Sequence, residues 1–252
     1  MLHNSLIEVP RNLKEGIDWL IALKGRNFNY NMTAMGLALH NLLKRHPVGL
    51  KVLPALECVK RISKQFLEQP ELKDQPFVKN LLRRYEEPLN KEPGVLAEIF
   101  GDTPLSDYEN VVELRGVKGG DIIKDLGNVV RGCEKFLKNI KIPYQYKSAY
   151  SSKATWDESC SRDPEACAVV FVGIAPMLYA GLRSLRDASE HAIKGSNHMA
   201  EHRLWYVFKA MGYREQECRP SMSASDMIEA LSGVDVNIFT IVYDLAGFWA
   251  FY

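Results

Sequence analysis

The chain has 252 residues, 46% of them hydrophobic and 25% charged, with 32 Lys and Arg against 31 Asp and Glu. That composition excludes a disordered or low-complexity chain and suffices for one large core or two small ones. A net charge of +1 argues against a dedicated nucleic-acid binder, so no nucleic-acid partner is expected. The charge is uneven, with 15 basic and 9 acidic residues over 1–91 against 17 and 22 over 92–252, which reads as two solvated faces of different sign.

The first residues, "MLHNSLIEVPRNLKEGIDW", have no charged start followed by a long apolar run, so no conventional signal peptide is expected. "NLKEGIDWLIALKG" reads as a helix, with Asn12 as N-cap, Glu15 three residues on and Gly25 as the stop. Leu13, Ile17, Leu20 and Ile21 share one of its faces. "TAMGLALHNLLKRH" follows, with Thr33 as its cap. "LPALECVKRISKQFL" carries the stripe Leu56, Val59, Ile62, Phe66 and Leu67. "QPFVKNLLRRYEE" places Pro76 in a first turn, where a missing N–H costs little. "SDYENVVELRG" offers a capping box of Ser106 with Glu109, and "GGDIIKDLGNVVRGCEKFLKNI" is the clearest long helix.

Residues 141–157, rich in Tyr, Ser and Lys, break the rhythm and read as a long loop. Beyond them come a helix from about Glu165 to His191 bent at Pro176, another from about Asn197 to Gly212, one starting near Ser223, and an apolar C-terminal helix. No segment alternates with period two. The expectation is an all-α, multi-helix bundle of about nine to eleven helices, forming a single domain over 1–252. If it divides, the lobes are 1–140 and 158–252, joined by the irregular segment 141–157. The longest low-charge stretch, Ala166 to Leu182, has 17 residues and contains Pro176, so a buried helix pair is expected there and not a membrane span.

The pattern with the most specific chemistry is "HMAEH". His198 and His202 stand four apart on one helix face, with Glu201 between them, the H-x-x-E-H order of a zinc peptidase in which the carboxylate activates a water. A third protein ligand in a recognisable second motif is missing, so a solvated helical turn is the expected reading and a zinc hydrolase the rival. "GVKGGD" at Gly116–Asp121 fits neither glycine-rich phosphate motif and reads as a helix connection with an Asp cap. No catalytic residue and no cofactor is expected. Asn31 opens the acceptor pattern "NMT", a weak candidate for glycosylation beside Thr33 as cap.

Five cysteines, Cys58, Cys133, Cys160, Cys167 and Cys218, contain no C-x-x-C pair. Cys160 and Cys167 flank the turn-like "SRDPEA"; a bridge there would contribute roughly 2–3 kcal/mol through loop entropy and would imply an oxidising compartment, and two free thiols are the alternative. Tyr144, Tyr146, Tyr150 and Trp156 are the candidates for contact with a partner, since aromatics with few rotatable bonds make good anchors. The alternative is a loop whose tyrosines pack on its own helices.

Three stretches in order, "NLKEGIDWLIALKG", "TWDESCSRDPEACAVVFVGIAPMLYAGL" and "YVFKAMGY", resemble the variant erythrocyte surface antigen family (alpha-type) of piroplasm, Babesia-like parasites. The Asn-Leu-Lys-Glu…Ile-Asp-Trp element at Asn12–Trp19 is the most specific, and Cys167–Leu182 is similar to the family's Cys-Ala followed by an apolar helix. The resemblance implies a non-enzymatic protein, exported by an unconventional route to the infected erythrocyte or its surface. It implies antigenic variation, cytoadhesion, and a host-cell surface protein or a paired family member as partner. Family members are longer and carry a transmembrane helix near the C-terminus, so a short or truncated member is implied. The rival to export is the parasite cytosol, with a self-associating helical scaffold as the role.

Overall fold

A computed structural model describes residues 2–94, 103–195 and 198–252, the side chains of His198 and Ala200 excepted. The chain is an all-α bundle, with nine helices of seven residues or more among the described residues and no strand. They are α1 (Leu13–Lys24), α2 (Phe28–Arg45), α3 (Pro54–Leu67), α4 (Pro76–Glu86), α5 (Gly119–Ile140), α6 (Pro164–Gly195), α7 (His198–Ala210), α8 (Ala224–Ala230) and α9 (Val236–Asp244). Single turns at Val111–Leu114, Trp156–Ser159 and Phe248–Phe251 accompany them among the described residues, beside short 3₁₀ turns.

Helix α6 is the axis. It packs against α1, α2, α3, α4, α7, α8 and α9, and it is apolar nearly all round because it has neighbours nearly all round. The helix runs through Pro176 as one element of 32 residues, where the sequence suggested a bend. By length and composition it could cross a membrane, but 83% of its most apolar window is buried inside the protein. Helix α5 is the second support and packs on α1, α2, α8 and α9. The close approach of α2 to α5 depends on Gly36, where a Cβ would sit 2.5 Å from Cγ1 of Ile123.

Helix ends follow local chemistry. Asn12 Oδ1 accepts from the Glu15 N–H at 2.9 Å, and α1 stops at Gly25 with φ of 52°, a conformation that a side chain would resist. At α8 the box is reciprocal: the Ser223 hydroxyl accepts from the Asp226 N–H, and the Asp226 carboxylate accepts from the Ser223 N–H. Asp121 likewise accepts from the Lys118 N–H at the start of α5.

Four expectations are corrected. Helix α2 begins at Phe28, so Thr33 lies inside it and caps nothing. The box of Ser106 with Glu109 does not form; Asn110 takes the capping role, accepting from the N–H groups of Val112 and Glu113. The apolar C-terminal helix is split at Gly247, whose φ of 64° turns the chain between α9 and Phe248–Phe251. Residues 141–157 do not join two separate lobes. Helices α1, α2 and α3 pack directly on α6, and one connected cluster of buried side chains extends from Leu6 to Tyr252.

Candidate functional site

Residues 141–160 and the N-terminal segment are folded over α1. Asp18, 2% exposed, accepts from the Tyr146 hydroxyl at 2.6 Å and from the Ala149 N–H at 2.8 Å. Lys14 donates to the Lys147 carbonyl at 2.7 Å, lies 4.7 Å from the Tyr146 ring, and sits 3.6 Å from Asp18 and 3.7 Å from Glu217. Burial pushes the Asp18 carboxyl up from its ordinary range against the opposing pull of Tyr146, Ala149 and Lys14. The Trp19 indole N–H donates to the Leu6 carbonyl at 2.7 Å. His3 stacks on the Tyr150 ring, its Nδ1 3.3 Å from Glu8 and its Nε2 3.2 Å from Glu15.

This arrangement withdraws most of the expected contact surface. Trp156 is 2% exposed and Tyr150 is 5% exposed, with its hydroxyl donating to the Glu8 carbonyl. Tyr146 is half-buried between two lysines, over Lys14 and Lys141. Of the four aromatics only Tyr144, 86% exposed, is open to a partner. The reason is that phenol hydroxyls in an otherwise apolar interior need acceptors, and Asp18 and the backbone of the N-terminal segment supply them. Asn31 is corrected in the same way: it is buried, and its amide donates to the carbonyls of Leu23 and Lys24 at the end of α1, which leaves no amide for a glycan.

Cys160 and Cys167 are bonded, with 5.9 Å between their Cα atoms, and both are buried. The bridge ties the turn Trp156–Ser159 to the first turn of α6. Burial pushes the thiols of Cys133 and Cys218 up to about 12, which makes both poor nucleophiles. Cys58 is exposed.

"HMAEH" forms the first turn of α7, with Glu201 and His202 exposed; the His198 side chain lies outside the described residues, as does Asn197. Among the described residues no group of three His, Cys, Asp or Glu side chains stands where it could hold a metal ion.

One concave surface lined by aromatic rings was not singled out from the sequence. It is a groove of about 540 Å³ between α6 and α9, floored by Tyr179, Phe239 and Tyr243 and edged by Arg115, Arg183 and Arg186. Tyr179 meets Phe239 and Tyr243 edge-on at 6.0 and 5.3 Å. The Arg183 guanidinium lies over Phe77 at 4.4 Å and donates to the Tyr179 hydroxyl. Arg186 lies over Phe239 at 5.6 Å. Beneath the groove Asp107, fully buried, pairs with Arg84 and accepts from the Tyr243 hydroxyl at 2.7 Å, which fixes that ring. Its signal in the sequence was the "LRSLRD" spacing, two arginines three apart on a helix otherwise read as core.

Comparison of the chain with known protein families, with curated proteins and with solved structures finds no match.

Proposed function

We propose that this is a non-enzymatic interaction protein related to the variant erythrocyte surface antigens of piroplasm parasites. It is exported to the infected erythrocyte or its surface and engages a host-cell surface protein or a paired member of its own family. The observation that supports this reading is where the three resembling stretches lie. The Lys14 N–H donates to the Met211 carbonyl at 2.9 Å, and a Cβ on Gly212 would lie 2.6 Å from the Asn12 side chain. Trp19 packs on Phe171 with ring centroids 6.3 Å apart, and Gly16 sits against Leu178. The first stretch therefore touches both of the others, and the residues that carry the resemblance form one structural unit. The Cys160–Cys167 bond is also the kind that persists in an oxidising compartment.

The test uses the whole chain with that bond formed, fluorescently labelled and added to intact endothelial cells and erythrocytes. Saturable binding displaced by unlabelled protein is the expected result. Absence of binding to either cell type, together with free Cys160 and Cys167 thiols in protein recovered from the parasite, overturns the reading.

A further inference from the structure

The groove between α6 and α9 is lined by three arginines and three carboxylates, and one of the guanidinium groups stands outside the ion pairs. Its three carboxylates each have a cation: Asp187 lies 3.8 Å from Arg183, Asp244 lies 3.1 Å from Arg115, and Glu190 lies 4.0 Å from Lys194. Arg186 has no carboxylate within 4.0 Å among the described residues; it lies over Phe239 at 5.6 Å, and its charge favours the ionised form of the neighbouring Asp187. A guanidinium that meets a ring and no carboxylate keeps N–H donors for another acceptor. Beside it are the edge-on rings of Tyr179, Phe239 and Tyr243, and Val236, 71% exposed, stands at the rim. Burial pushes the carboxyls of Asp187 and Asp244 up from their ordinary value.

We infer that the groove is a binding site for an aryl carboxylate, whose ring lies on the Tyr179–Phe239–Tyr243 floor and whose carboxylate is held by Arg186. The volume of about 540 Å³ falls in the range of small-molecule sites, which are mostly apolar with a few placed polar groups. An aliphatic acid would meet the same cation but would forgo the edge-to-face ring contacts that the floor offers. The inference rests on the groove alone and does not depend on the surface-antigen reading.

The experiment titrates the full chain with 3-phenylpropionate and, separately, with the neutral 3-phenylpropanamide, following amide chemical shifts. The expected result is a saturable response of Val236, Phe239 and Thr240 to the acid, with binding of the amide weaker by about tenfold. Arg186→Gln is expected to erase the preference for the acid. Because Arg186 is half-buried, Val236→Trp at the rim serves as a second variant and is expected to block binding while leaving Arg186 in place. No response up to about 10 mM overturns the proposal, as do equal affinities for acid and amide or an acid preference unchanged by Arg186→Gln.

Discussion

At the flank where α1 meets residues 141–160, Lys14, Asp18, Trp19 and Tyr150 each reach a hydrogen-bond partner far away in sequence. Along the groove between α6 and α9, the polar side chains behave differently: Arg183 and Arg186 lie over aromatic rings, and one of them has no carboxylate of its own. The first region spends its polar groups on closing the fold, and a buried polar group that loses its partner is expensive. The second keeps charge at its surface, where removing it costs little stability. Mutational cost is therefore expected to be high at the flank and low at the groove, while ligand effects run the other way.

The largest effect is expected from Asp18→Ala, which strips the Tyr146 hydroxyl and the Ala149 N–H of their acceptor at once. A loss of about 2–5 kcal/mol in chemical unfolding follows from two stranded buried donors. A loss under 1 kcal/mol would mean that the flank is not held by this carboxylate. Next, Cys160→Ser with Cys167→Ser should cost roughly 2–3 kcal/mol, since the bond closes a short loop in the unfolded chain. Reduction of the parent protein should reproduce that loss; if reduced and oxidised forms melt together, the bond contributes nothing. Asn31→Ala should cost about 1–2 kcal/mol, because two carbonyls at the end of α1 lose a buried donor. The same substitution should change the mass of secreted protein from a glycosylating host only by the difference between the two side chains, with no loss of a glycan.

Lys91 sharpens the contrast through pH. Its ammonium is partly buried, where it donates to the carbonyls of Asp107 and Phe248, and burial lowers it to about 8 against the favourable pull of Asp107. Between that value and the ordinary lysine range Lys91 alone holds more protons in the unfolded chain than in the folded one, so its own contribution to stability rises with pH across that window, while the buried thiols of Cys133 and Cys218 pull the other way. Thermal melts should show the Lys91 part as a difference, with the parent gaining on Lys91→Met as pH rises. The smallest effect is expected from Arg186→Gln, within about 0.5 kcal/mol of the parent, since the residue has no ion pair to lose. A loss several times larger would move Arg186 from the ligand side of the comparison to the structural side.

Much of the helical plan was legible because its signals are local. Asn12, Gly25 and Ser223 act within a few residues of themselves, and the stripe of α5 repeats at threes and fours. Residues 141–157 form the loop that their composition suggested, and their tyrosines pack on the protein's own elements, but which ones was not legible because the partners are remote: Tyr146 finds Asp18, and Tyr150 finds Glu8. A polar, aperiodic stretch looks the same whether it floats in water or covers a helix. The groove was missed for a related reason. Arg186 and Phe239 belong to helices far apart in sequence, and neither carries a motif. Pro176 does not divide α6 into the expected helix pair, since a helix enclosed by others tolerates a proline that a solvated one would not.

The position of α6 sets a clock for the molecule. A helix wedged among seven others cannot expose its amides by fraying one edge; its middle opens only when the surrounding helices part. In deuterated water, therefore, the stretch from Val170 to Leu185 should be the last to take up label, at the rate set by global unfolding. The first turn of α7, where Met199, Glu201 and His202 are exposed and the leading amides have no partner within the helix, should be labelled long before it. The residues that read most like a membrane span would then be, in solution, those that meet water least often.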